Sequence, residues 1–182
     1  MKKRIVLVLI LGMTLTFAGC LSTALQPTLV PLGRYDMVQV RSDTPVALLN
    51  VQKPGPAMIK VGTQDTETNL SLWSFQAIAS IGGWLTLYKV PVNPEATKKI
   101  KVSIVEPRIH LRKHLPCAEI FLKIETETGL EKMYPAEGCA ASNNRAIGYA
   151  ISYAVIDMIR DRDITDYIEQ KPAQEEPEPA KD

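Results

Sequence analysis

The residue types best suited to chemistry gather in one stretch: His110, His114 and Cys117, with Glu106 upstream. Two imidazoles, a thiol and a carboxylate are the donor set of a zinc site. Residues four apart share a face in both a helix and a strand, so the two histidines are expected to point the same way in either. The thiol argues against the metal, because an oxidised cysteine supplies no thiolate. The same stretch, Arg108, His110, Arg112, Lys113 and His114, also reads as a charged solvent face. Such a face either recognises an anionic envelope polymer or lipid headgroup or keeps neighbouring strands from pairing edge to edge. No Gly-rich phosphate loop, Gly-x-Ser-x-Gly or His-Glu-x-x-His motif occurs, and two histidines this close leave a Ser-His-Asp relay without a centre. The sequence therefore assigns no catalytic residue, no metal ligand and no cofactor. Tyr149 and Tyr153, one helical turn apart, offer an aromatic docking strip or a packing surface between terminal elements.

The elements that position these residues come from a chain of 182 residues, enough for one domain. With 21 Lys+Arg against 20 Asp+Glu the chain lacks the basic excess of a phosphate-tracking protein, so nucleic acid is excluded as a partner.

Met1 to Arg4 form a short basic region, followed by an apolar core from Ile5 to Met13, too short to span a bilayer. Small residues then precede a cysteine in Phe17-Ala18-Gly19-Cys20. This resembles the lipobox of bacterial lipoproteins. The resemblance implies a signal peptide over 1–19, cleavage before Cys20 and diacylglyceryl attachment to its thiol. Several acyl chains together anchor a protein stably. Leu21 after the cysteine, in place of Asp, implies the inner leaflet of the outer membrane facing the periplasm if the cell is Gram-negative. Residues 20–34, with Pro27, Pro31 and Gly33, read as an extended tether.

With Cys20 assigned to lipid, Cys117 and Cys139 remain as a pair in an oxidising compartment. Cys117 to Thr126 and Leu130 to Cys139 read as two strands of a hairpin around Glu127-Thr128-Gly129. A three-residue loop with Gly129 in the left-handed region sets Cys117 opposite Cys139, as a disulfide requires. It also sets Glu119 against Glu137 and Glu125 against Glu131, which is unfavourable. A two-residue Thr128-Gly129 loop pairs Glu125 with Lys132 instead and needs a bulge near Pro135 to restore the bridge. Both registers are open on the sequence alone.

Elsewhere, the single domain is expected over 35–170. Strands are predicted over Met37 to Arg41, Val46 to Gln52, Met58 to Gly62 and Lys99 to Leu111, the last with a bulge at Val105 to Pro107. Leu70 to Tyr88 carries no charge, but its hydroxyl and glycine residues argue for a buried helix rather than a membrane span. Leu72, Phe75, Ile78, Ala79 and Ile81 are its predicted inner positions, Thr66 and Asn69 its candidate caps, and Gly82-Gly83 its end or weak point. Trp84 to Val92 fits helix or strand. From Asn143, the stripe Ile147, Ile151, Val155, Met158 and Ile159 predicts a helix capped by the Ser142 region. Asp163 and Asp166 suggest the start of a second short helix. The Pro/Glu-rich residues 171–182 are expected to be disordered.

The fold class predicted is α+β, a mixed or antiparallel sheet packed by a central and a C-terminal helix. Cys117 to Ile124, the Glu127-Thr128-Gly129 turn, the helix Asn144 to Ile159 and the closing Asp161 to Ile168 resemble small bacterial lipoproteins of the YajG-like type. The resemblance implies an α+β domain with no catalytic residues to carry over. Together these readings predict a membrane-anchored, non-catalytic binding or scaffolding lipoprotein with an envelope protein partner. The alternatives are an auxiliary subunit of a transport or polymer-export complex, or an envelope hydrolase or metal enzyme built on His110 to Cys117.

Overall fold

The computed structural model describes residues 25–33 and 38–170. The signal peptide, Cys20, the domain start near Tyr35 and the acidic tail lie outside them. Six strands form one mixed sheet: β1 (Val46–Asn50), β2 (Ala57–Val61), β3 (Gln64–Thr68), β4 (Lys98–Arg112), β5 (Leu115–Thr126) and β6 (Glu131–Cys139). Three helices pack against it: α1 (Leu70–Leu87), α2 (Asn143–Arg160) and α3 (Arg162–Glu169). The fold is α+β.

β4 organises the sheet. Along one edge it pairs antiparallel with β5; along the other it pairs in parallel with β1 through residues 98–102 and then with β2 through Arg108 and Ile109. The predicted bulge falls between Val105 and Arg108, with Glu106 at a φ of 49°. It re-aims the strand between its two partners. In the gap between β1 and β2 the amide of Ile104 donates to Oε1 of Gln52 at 2.9 Å, so no buried donor is left open there.

β3 was absent from the sequence reading because Gln64-Asp65-Thr66-Glu67-Thr68 has no apolar alternation; it is a polar edge strand paired with β2. The strand expected over Met37 to Arg41 does not form across its described residues 38–41. That stretch finds side-chain partners instead: Val38 O accepts from Trp84 Nε1 at 2.9 Å, and the Arg41 amide donates to Glu169 at 2.9 Å.

α1 begins at Asn69, whose side chain accepts from the Ser71 amide, and runs unbroken through Gly82-Gly83 to Leu87. Trp84 is therefore helical. The buried face of α1 is Trp73, Ala77, Ile81, Trp84 and Leu85; Leu72, Phe75 and Ala79, predicted as inner positions, face outward. A helix with no charge has no polar side to reveal which face the core takes. α2 matches its predicted stripe, with Ile147, Ile151, Val155, Met158 and Ile159 all fully buried and Ser142 as N-cap. α3 is capped by Asp161, two residues before the expected Asp163. Its C-terminal carbonyls, Ile168 O and Gln170 O, are capped by Nζ of buried Lys98. Burial lowers the pKa of that amine, against the pull of Glu127.

Two close approaches hold the α2 layer. Gly138 of β6 lies against the backbone of Ala146, Tyr149 and Ala150, leaving no room for a Cβ. Gly148 lies in the same way against Thr28. Residues 25–33 have no regular structure and are strapped to the domain. Thr28 N donates to Asn144 O at 3.0 Å, Ser152 Oγ to Val30 O at 2.9 Å, and both Trp73 Nε1 and Thr68 Oγ1 to Leu25 O at 3.0 Å.

A methyl group at Gly138 is expected to force α2 off the sheet and cost about 1–3 kcal/mol, measured as a lower urea midpoint. Gly148→Ala is expected to speed amide exchange over 25–33 while leaving β4 and β5 protected, as read by hydrogen-exchange mass spectrometry. Equal exchange in wild type and variant would show that the strap does not depend on that contact.

Candidate functional site

The helices cover one face of the sheet; among the described residues no element packs over the other face. The pairing of β4, β5 and β6 arranges its side chains in cross-strand rows: Lys101–Glu125–Glu131, Ser103–Lys123–Met133, Val105–Phe121–Pro135, Arg108–Glu119–Glu137 and His110–Cys117–Cys139. The hairpin takes the three-residue loop. Thr126 N donates to Leu130 O at 3.0 Å, Gly129 has a φ of 85°, and Cys117 is bonded to Cys139.

The two like-charge pairs that this register imposes are each bridged by cations. Lys123 Nζ lies 2.6 Å from Glu125 and 3.1 Å from Glu131. Its hydrogen bonds to those carboxylates raise the lysine pKa, and the bond from Lys123 holds Glu125 below the usual carboxylate range. At the other end Arg108 pairs with Glu119, Arg112 reaches Glu137 at 3.1 Å, and His110 stands between them, 3.7 Å from Glu119 and 3.3 Å from Glu137. One repulsion between β5 and β6 is thus offset by Lys123 of β5 itself, the other by side chains arriving from β4.

Between these ionic clusters lies an uncharged row, Val105, Phe121 and Pro135, all partly or fully exposed. A shallow hollow at this level is lined by Phe121, Pro135, Glu119 and Glu137 among others. The surface is thus an apolar strip with fixed charges on both sides.

The predicted site residues divide. Arg108, His110 and Arg112 share this face with Cys117 and Cys139. Lys113 and His114 do not: with φ of 48° and 70° they form the tight turn joining β4 to β5. The two histidines therefore do not share a face, because the strand ends at Arg112, before the period-two rule reaches position 114. Glu106 sits in the bulge. The donors that do converge are His110, Cys117 and Glu137, within 4.8 Å of one another. Cys117 is committed to its disulfide there, so the group offers a metal one imidazole and one carboxylate already facing arginine. Tyr149 and Tyr153 stack with centroids 6.0 Å apart, Arg145 lying 5.8 Å over Tyr149, on the outer side of α2.

Sequence reasoning missed Glu119, Glu137, Lys123 and Phe121 as site residues, seeing the glutamates only as a cost of the register. Their cross-strand partners on β4 were the missing signal. No protein family, curated protein or solved structure matches the chain.

Lys123→Met is expected to leave Glu125 facing Glu131 without a cation. Because Glu125 is held below its ordinary value, its contribution is present above the normal carboxylate range and lost as pH falls through the folded-state value. The stability gap between wild type and variant should therefore be wide near neutrality and close in acid, as read from urea midpoints at several pH values. A gap that does not change with pH would assign the loss to packing of the lysine stem.

Proposed function

We propose that this chain is a lipid-anchored periplasmic envelope lipoprotein that binds or scaffolds an envelope protein through the open face of its sheet. The observation that carries the reading is the Val105–Phe121–Pro135 row held between two ion-paired clusters. The ion pairs fix the side chains before any partner arrives, which lowers the ordering cost of association. The anchor half of the proposal rests on Phe17-Ala18-Gly19-Cys20 and on the closed pairing of the two remaining cysteines. The carboxylates of Glu119, Glu125, Glu131 and Glu137 on this face are engaged by cations or by His110, an arrangement that suits a pre-ordered recognition surface.

In-cell crosslinking of the full-length protein, with capture identified by mass spectrometry, tests both halves. A defined envelope protein is expected with the wild type, and its capture is expected to fall with Cys20→Ser and with Phe121→Asp. Capture of the same species at the same yield from all three would refute the reading.

A further inference from the structure

Among the described residues nothing covers the side of α1 turned away from the core. Leu72, Phe75 and Leu87 are 41%, 56% and 53% exposed, with Ala79, Gly83 and Thr86 exposed between them. No residue from Leu70 to Tyr88 is charged. The exposed side of α2, by contrast, carries Arg145, Asp157 and Arg160. An outward helix face with three large apolar residues and no charge is not an ordinary solvent surface.

The chain itself indicates what covers it. Leu25 is buried, and its carbonyl accepts from Trp73 in the first turn of α1 and from Thr68 just before it. Cys20 lies five positions earlier. Five residues span at most about 17 Å even when fully extended. A lipidated Cys20 therefore holds Leu25 within that distance of the lipidated residue, and Leu25 is hydrogen-bonded to the Trp73 side chain at the start of α1, while the helix itself is about 27 Å long. No rotation of the domain can carry the first turn far from the bilayer.

We propose that the uncharged face of α1, through Leu72, Phe75, Ala79 and Leu87, lies in the lipid surface beside the anchor. This rests on the lipid-anchor reading and adds the orientation of the domain. A helix lying in the interface buries its apolar side at the boundary of headgroups and acyl chains. Exposed Lys89, immediately after the helix, then meets the phosphate layer. The open sheet face, on the far side of the sheet from α1, points into the periplasm.

The test is photocrosslinking of the full-length protein in cell membranes. Phe75→p-benzoylphenylalanine places the probe on the α1 face; Met133→p-benzoylphenylalanine places it on the open sheet face, where Met133 is 47% exposed. The intact mass of each purified product is measured before and after illumination. Acyl chains on Cys20, with phospholipid adducts several-fold more abundant at position 75 than at 133, are expected. Acyl chains with a dimer or another protein crosslinked at position 75, or with equal lipid adducts at both positions, would overturn the orientation and leave the anchor standing. An unmodified Cys20 would overturn the anchor and the orientation with it.

Discussion

The register of the β5–β6 hairpin is the constraint on which the rest of the structure depends. A slip of one residue would turn every side chain of a strand to the opposite face. In the observed register Ile120, Leu122 and Ile124 of β5 and Tyr134 of β6 go under the helices, and Gly138 arrives where α2 presses on the sheet. The same register brings Cys117 to Cys139 and sets glutamate against glutamate twice. Buried apolar side chains decide the competition. Reversing five or six buried positions would cost several kcal/mol, whereas two exposed like-charge pairs cost about 1 kcal/mol or less each.

This explains what was legible. The disulfide, the α2 stripe and the bulge on β4 rest on local spacing or turn chemistry, which a sequence displays directly, whereas the hairpin loop stayed open between three residues and two. The alternative register was attractive only because it relieved the glutamates, and it would have been discounted had Lys123, Arg108 and Arg112 been placed beside them. Lys123 is local, two residues from Glu125 on β5, but the arginines are not: Arg108 meets Glu119 only once the Lys113-His114 turn and the bulge have both been set. The same limit hid β3, whose pairing with β2 replaces an apolar pattern, and the inner face of α1, where lack of charge removed the contrast that a periodicity argument needs. Met37 to Arg41 failed for the opposite reason. Its apolar residues suit a strand, but over the described residues 38–41 the Val38 carbonyl and the Arg41 amide are taken by the side chains of Trp84 and Glu169.

The two tryptophans of α1 connect the N-terminal segment to this frame. Each is fully buried and each has an indole N–H that must find an acceptor. Trp73 takes Leu25 O and Trp84 takes Val38 O, so the segment that precedes β1 is fastened at two points along one helix. Gly148 completes the fastening by letting the segment touch the α2 backbone. A segment that reads by composition as an extended tether is thus, over its described residues, part of the packing, and it ties what lies before Leu25 to α1.

From that coupling follows the division of the surface. The helix layer and the sheet layer each leave one side uncovered, and the two sides differ in chemistry: apolar without charge on α1, ion-paired around a short apolar row on the sheet. A protein free in solution gains nothing from the first. A partner protein that must discriminate would use the second, since fixed charges reject wrong partners while contributing little bulk affinity. On the proposed anchor, a short strap would turn the unselective side toward the membrane and leave the selective one free. On the proposed orientation, the hairpin register that tolerates facing glutamates is what builds the periplasmic recognition surface: had the chain taken the register that relieved them, Phe121 and its flanking charges would not form one ordered row.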